Sequence, residues 1–172
     1  AACLTRTFTV GEDFIVGDNA EALAALRNHP GLLYLSGPAG SGKTHLLRAR
    51  ARELPGALYL TGGALAENAD ALLEGAEQVP WLAIDDVDAL AASVPGAMTL
   101  ARTLDTRAAL GMPTVVAAYP DAQSLPDVLR DLQTRLMQST AFRLRAPDEG
   151  TLLRWLHRRA DERGLQLADS AS

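Results

Sequence analysis

The chain has 172 residues, with one cysteine, one lysine and an aromatic content of 5%. The single Cys3 excludes an internal disulfide and suits a reducing cytoplasm. No run of 18 apolar residues occurs, so no membrane-spanning helix is expected. The opening AACLTRTFTV lacks the long apolar stretch of a signal peptide, which gives no support to secretion. Positive charge is also short: 16 basic against 21 acidic side chains leave a net charge of −5. That balance argues against a broad DNA-binding surface, which needs a basic stripe. His29, His45 and His157 have no metal-ligand spacing, and neither a G-x-S-x-G elbow nor a nucleophilic Cys–His pair is present. What is present is an ordinary globular mixture, 48% hydrophobic and 22% charged, long enough for one domain with a real core.

Along the chain, strand-like and helix-like segments alternate. Asp18 and Glu21 have capping-box spacing ahead of an apolar run that His29-Pro30-Gly31 ends. Strands are expected at 32–35, 57–61, 81–85, 114–118 and 142–145, as continuous apolar runs of the kind buried on both sheet faces. Helices are expected at about 43–53, 65–77, 95–110, 125–136 and 148–163, the last with Gly164 at its end. This order predicts five parallel strands joined by right-handed helical crossovers, an α/β fold of three layers. Residues 167–172 are polar and are expected to fray.

Two segments carry chemistry. Gly37-Pro-Ala-Gly-Ser-Gly-Lys-Thr44 fits G-x-x-x-x-G-K-[ST] between a strand and a helix. Gly37, Gly40 and Gly42 allow backbone conformations closed to other residues, and the helix amino end that follows points free N–H groups at an anion. Lys43 would neutralise the β and γ phosphates, and the Thr44 hydroxyl is a hard ligand for Mg²⁺. The candidate nucleotide-binding residues are therefore Gly37, Pro38, Ala39, Gly40, Ser41, Gly42, Lys43 and Thr44, with His45 in the first helical turn. His45 reads equally well as a partly exposed helix residue. The only lysine of the chain stands where a slim ammonium among phosphates is required; the other 15 basic residues are arginines. The second segment is Leu82-Ala-Ile-Asp-Asp86, an apolar strand that ends in acid. Asp85 would hold Mg²⁺, and Asp86 would sit where a base orients the attacking water.

Other residues have plainer readings. Arg154, Arg158, Arg159 and Arg163 fall mostly on one helical face, a solvated surface by default and a partner surface by the rarer reading. Trp81 and Trp155 suit core or interface packing. Arg135, at the end of a helix after the fourth strand, is by default a surface arginine.

Together the motifs resemble the AAA+ ATPases of the DnaA group, and within it the branch of Hda-type regulators. The likeness covers about residues 8–168 of one domain spanning 1–172. It rests on Phe14-Ile-Val-Gly-Asp-Asn19 ahead of the first helix, on Gly37–Leu47 with its GKTHLL, on Ile84-Asp-Asp-Val87, and on Leu125-Pro-Asp followed by Leu132-Gln-Thr-Arg-Leu136. The resemblance implies the base subdomain of an AAA+ P-loop NTPase, with ADP or ATP and Mg²⁺ as cofactors. It implies that Val16 and Asn19 border the adenine, that residues 39–44 hold the phosphates, and that Asp85 holds the metal. Arg135 matches the arginine finger, which acts on a neighbour's nucleotide. The implied function is regulation of DNA replication initiation, by promoting hydrolysis of ATP held by DnaA. The partners would be DnaA, the sliding clamp and a further copy of the chain, with direct DNA binding weak or absent. Three departures stand out. The polar sensor position after the fourth strand falls on Tyr119, so little hydrolysis by the chain alone is expected. No clamp-binding peptide is recognisable in residues 1–10. The sequence stops where the family's helical lid begins. Two other readings remain: a self-sufficient AAA+ ATPase, such as an initiator fragment or helicase loader, and a P-loop kinase of a small metabolite, which lacks an acceptor-binding signature.

Overall fold

The computed structural model describes residues 19–162. Five parallel strands form one sheet: β1 (Leu32–Ser36), β2 (Leu58–Thr61), β3 (Leu82–Asp85), β4 (Thr114–Ala118) and β5 (Thr140–Arg143), in the order β2-β3-β4-β1-β5. The helices are α1 (Ala20–Asn28), α2 (Lys43–Glu53), α3 (Gly62–Leu72), α4 (Val94–Ala109), α5 (Arg130–Met137) and α6 (Glu149–Glu162). This is the expected three-layer α/β architecture.

The period-two alternation of strand side chains divides the interior into two cores. Leu33 and Leu35 of β1, Ala83 of β3 and Val115 and Ala117 of β4 face α1 and α2, which contribute Leu23, Leu26, Leu46 and Leu47. Tyr34, Leu82, Ile84, Val116 and Ala118 face the other way, against Leu65 of α3, Leu100 and Leu104 of α4 and Leu132 and Leu136 of α5. The three central strands are buried on both faces, as their unbroken apolar sequences require.

Several elements depart from expectation. Helix α3 starts at Gly62 rather than 65 and ends at Leu72 rather than 77. Thr61 caps it by accepting a hydrogen bond from the Ala64 amide at 3.3 Å, so Gly62 and Gly63 already belong to the helix. Residues 125–136 are not one helix. Two short 3₁₀ turns, Ala122–Ser124 and Asp127–Leu129, come first, and α5 begins only at Arg130, because Pro126 keeps extended backbone before it. β5 lies two residues earlier than expected and its side chains are largely exposed. It is an edge strand paired only with β1, so it carries no apolar signature that would fix its limits. The capping box at Asp18 lies outside the described residues, and α1 has no side-chain hydrogen bond at its Asn19 cap.

One arginine is buried entirely. Arg107 of α4 is 0% exposed, yet its guanidinium donates to Thr114 Oγ1 at 2.7 Å, the carbonyls of Ala76 at 2.6 Å and Val79 at 2.9 Å, and that of Pro113 at 2.7 Å. Four satisfied bonds make a buried cation tolerable and tie the end of α4 to the start of β4.

Candidate functional site

The loop after β1 and the end of β3 lie two strands apart, with β4 between them, at the carboxyl edge of the sheet. Gly37, Gly40 and Gly42 all adopt positive φ, as expected of a loop that turns its amides inward. Gly37 also has a packing reason, since a Cβ there would lie 2.5 Å from the Leu144 carbonyl oxygen. The segment after β5 thus braces the loop. It braces Asn19 as well, which is buried and exchanges two hydrogen bonds with the Arg145 backbone, at 3.0 and 2.9 Å. Asn19 is therefore a structural clamp here. Val16, its expected companion at the adenine, lies outside the described residues.

Lys43 is 8% exposed and donates to the carbonyls of Gly37 at 2.6 Å and Pro38 at 3.1 Å. Burial pulls its pKa below the ordinary lysine value, and the carboxylates of Asp86, Asp85 and Asp88 pull it back up. Thr44 and His45 follow in the first turn of α2. Ser41 is 1% exposed and its hydroxyl has no hydrogen-bond partner, a cost that a ligand oxygen would relieve. Burial, and then the Arg52 charge, lower the His45 pKa below the ordinary histidine value.

Asp85 is fully buried. Its Oδ2 accepts from the Tyr59 hydroxyl at 2.8 Å and its Oδ1 from the Asp86 amide at 3.1 Å. Asp86 is exposed and holds a left-handed backbone at φ 50°, ψ 47°, which among residues other than glycine is adopted most readily by asparagine, aspartate and histidine. Gly62 makes room for that bend, because a Cβ on it would lie 2.2 Å from the Asp86 carbonyl oxygen. Burial first, then Asp85 and Asp88, push the Asp86 pKa above the usual aspartate value.

A cleft of about 620 Å³ runs from the glycine-rich loop along α2, lined by Gly40, Gly42, Lys43, Thr44, Arg48 and Asp86 among others. The structure thus joins most of the candidates from both motifs. A divalent cation suits this donor set. The Thr44 hydroxyl and the Asp85 carboxylate are hard oxygen ligands, and three carboxylates face one ammonium where a polyanionic phosphate would also have to sit.

Arg135 lies elsewhere. At the end of α5 it forks onto Asp105 of α4, with Nε to Oδ1 at 2.6 Å and Nη2 to Oδ2 at 2.5 Å, and Nη1 donates to the Asp131 carbonyl at 2.6 Å. Its side chain is 31% exposed and lines a separate cavity of about 290 Å³ with His29, Leu32, Asp105 and Thr140. Leu32 and Thr140 open β1 and β5, so this is the edge of the sheet away from the glycine-rich loop. The plain surface reading of Arg135 is therefore corrected to a paired one. Tyr119 is 61% exposed; its carbonyl accepts from the Gly37 amide at 3.3 Å. Of the arginine group on α6, Arg154 donates to Thr151 at 2.8 Å, the side chains of Arg158 and Arg159 are outside what the structure describes, and Arg163 lies outside the described residues. Sequence reasoning passed over Tyr59 and Arg48; only their positions, one on a strand beside Asp85 and the other one turn after Thr44, hinted at them.

No protein-family model matches the chain, and no curated protein matches it. Solved structures do. A DNA replication initiation factor superposes with a TM-score of 0.81 at 23% identity, over 97% of this chain and 58% of that one. This chain has the same fold. AMPPCP-bound DnaA from Aquifex aeolicus agrees, with a TM-score of 0.79 at 24% identity over 98% of this chain and 59% of that one. DnaI matches at 0.61 and 23% identity, over 73% of this chain and 84% of that one. The chain therefore spans just under three fifths of the two replication-initiation structures. Among the described residues, no helix is long and apolar enough to cross a membrane.

Proposed function

We propose that the chain is a nucleotide-binding AAA+ regulator of DNA replication initiation, which binds ADP or ATP at the glycine-rich loop and promotes hydrolysis of ATP held by DnaA through Arg135. The observation that carries this reading is the separation of the two sites. Arg135 lines a different cavity from Lys43, at the opposite edge of the sheet and away from the chain's own cleft, which is consistent with action on a nucleotide held by another molecule.

In the chain's own cleft, Gly37 to Gly42 would wrap the phosphates, Lys43 would exchange its loop carbonyls for phosphate oxygens, and Thr44 and Asp85 would hold Mg²⁺. When bound, the metal supplies charge neutralisation at the phosphates. Asp86 would accept hydrogen bonds from water near the terminal phosphate. Tyr119 carries neither the carboxylate nor the amide that would help orient this water, and its side chain is largely exposed. Arg135 would offer a neighbour's ATP a planar, permanently charged fork, suited to charge that spreads over the transferred phosphoryl. It must first release Asp105. DnaA and the sliding clamp are the partners in this reading, and the cytoplasm its site.

The test mixes the protein with ATP-loaded DnaA and a DNA-loaded clamp and follows ADP formation. Wild type is expected to accelerate hydrolysis and Arg135→Ala to lose the acceleration, while the protein alone turns over negligibly. Equal stimulation by both would refute the regulator reading. A second reading, a self-sufficient ATPase of the helicase-loader kind, is favoured by the likeness to DnaI over 84% of that chain. Robust turnover by the protein alone would support it.

A further inference from the structure

Tyr59 stands on β2, beside the strand that carries Asp85. The register pairs Thr61 with Asp85 and Tyr59 with Ala83, so the long phenol spans two residues to reach the strand end. Its hydroxyl has one acceptor, Asp85 Oδ2, at 2.8 Å. The other carboxylate oxygen is held by the Asp86 amide. With one donor on each oxygen, rotation of the carboxylate breaks both bonds. One lone pair on each oxygen is left over.

The support continues outward. The Arg48 guanidinium lies 5.2 Å from the centre of the Tyr59 ring, a cation–π contact. Arg48 is one turn after Thr44 on α2, and it lines the same cleft as Thr44 and Lys43. The phenol stays a donor at physiological pH. Burial and the bond to Asp85 push its pKa up to about 12, and Arg48 opposes that rise.

We propose that Tyr59, backed by Arg48, is a positioning residue that holds the Asp85 carboxylate in the orientation in which it takes Mg²⁺ together with the nucleotide. The inference rests on the nucleotide-binding reading above. Partners that orient a metal's ligands commonly govern affinity for the metal, by about 10–100-fold when removed. A purely packing role needs only the ring, which phenylalanine supplies.

The experiment titrates Mg²⁺ against binding of a fluorescent ADP analogue to the full chain, with a parallel series in EDTA. Tyr59→Phe is expected to need about tenfold more Mg²⁺ for half-maximal enhancement, with metal-free binding and melting temperature close to wild type. Arg48→Ala should shift the Mg²⁺ midpoint in the same direction by less, and Arg48→Lys less again. Wild-type Mg²⁺ dependence in Tyr59→Phe would overturn the proposal. So would equal loss of binding with and without Mg²⁺, which marks a structural residue. Failure of wild type itself to bind the analogue would instead refute the nucleotide reading, and this inference with it.

Discussion

At the carboxyl edge of the sheet, Lys43 is buried against its own loop, Asp85 is buried between two donors, and Gly37 and Gly62 are pressed against neighbouring backbone. At the amino edge, Arg135 and Asp105 meet through a bidentate bond in which both side chains keep solvent contact, 31% and 55% exposed. The first edge is fixed for a ligand that fits one shape. The second holds a charged fork ready to exchange one acceptor for another. Surface ion pairs are worth little and break easily, which suits a group that must leave its own chain to act. Beneath that edge, Arg107 anchors α4 only two residues beyond Asp105. The exchangeable pair therefore stands on a rigid support.

Breaking that support gives the largest expected effect. Arg107→Ala would strip hydrogen bonds from four buried acceptors and leave a cavity, costing about 3–5 kcal/mol. Thermal unfolding should fall by about 10 °C or more, and a loss of a degree or two would show that the network contributes little. Asp105→Ala acts on the exchange itself. Its stability cost should stay below about 1 kcal/mol, while stimulation of DnaA-bound ATP hydrolysis should rise by up to about fivefold as Arg135 is released. A fall in stimulation would mean that Asp105 orients the fork instead of withholding it.

Asp86→Asn sharpens the contrast from the other edge. Asparagine accepts the left-handed backbone at this position and removes a carboxylate whose pKa is raised by burial, Asp85 and Asp88. A raised carboxyl pKa means that the folded state binds its proton more tightly than the unfolded one. Its charge therefore costs stability above the raised value, and the cost disappears as pH falls through that value to the ordinary range. The variant should be slightly more stable than wild type at pH 7, by about 0.5 kcal/mol, and no more stable near pH 3. Destabilisation at pH 7 would refute the electrostatic account.

The glycine-rich loop and the acidic strand end were legible because their spacing is local: eight consecutive residues for one, and an apolar run ending in aspartate for the other. Alternation of strands and helices implies parallel strands covered on both faces, so the three-layer sheet was legible too, though not its strand order. Tyr59 and Arg107 were not, because the Asp85 partner of one lies 26 residues away and the Ala76 partner of the other 31, and no periodicity marks the pairing. β5 was misplaced because an exposed edge strand has no apolar pattern. The start of α3 was missed because Gly62 reads as a turn, whereas it is there to admit the bent backbone of Asp86. Arg135 could be placed at a helix end from sequence, but its hold on Asp105 spans 30 residues and two helices.

The division between a nucleotide-holding edge and an outward-acting edge is tested most directly by the melting shift that ADP and Mg²⁺ produce in wild type, Lys43→Ala and Arg135→Ala. Ligand at a hundred times its Kd should stabilise the folded chain by about 2.7 kcal/mol. Wild type and Arg135→Ala should show the same upward shift and Lys43→Ala none. A full shift in Lys43→Ala, or its loss in Arg135→Ala, would contradict the account.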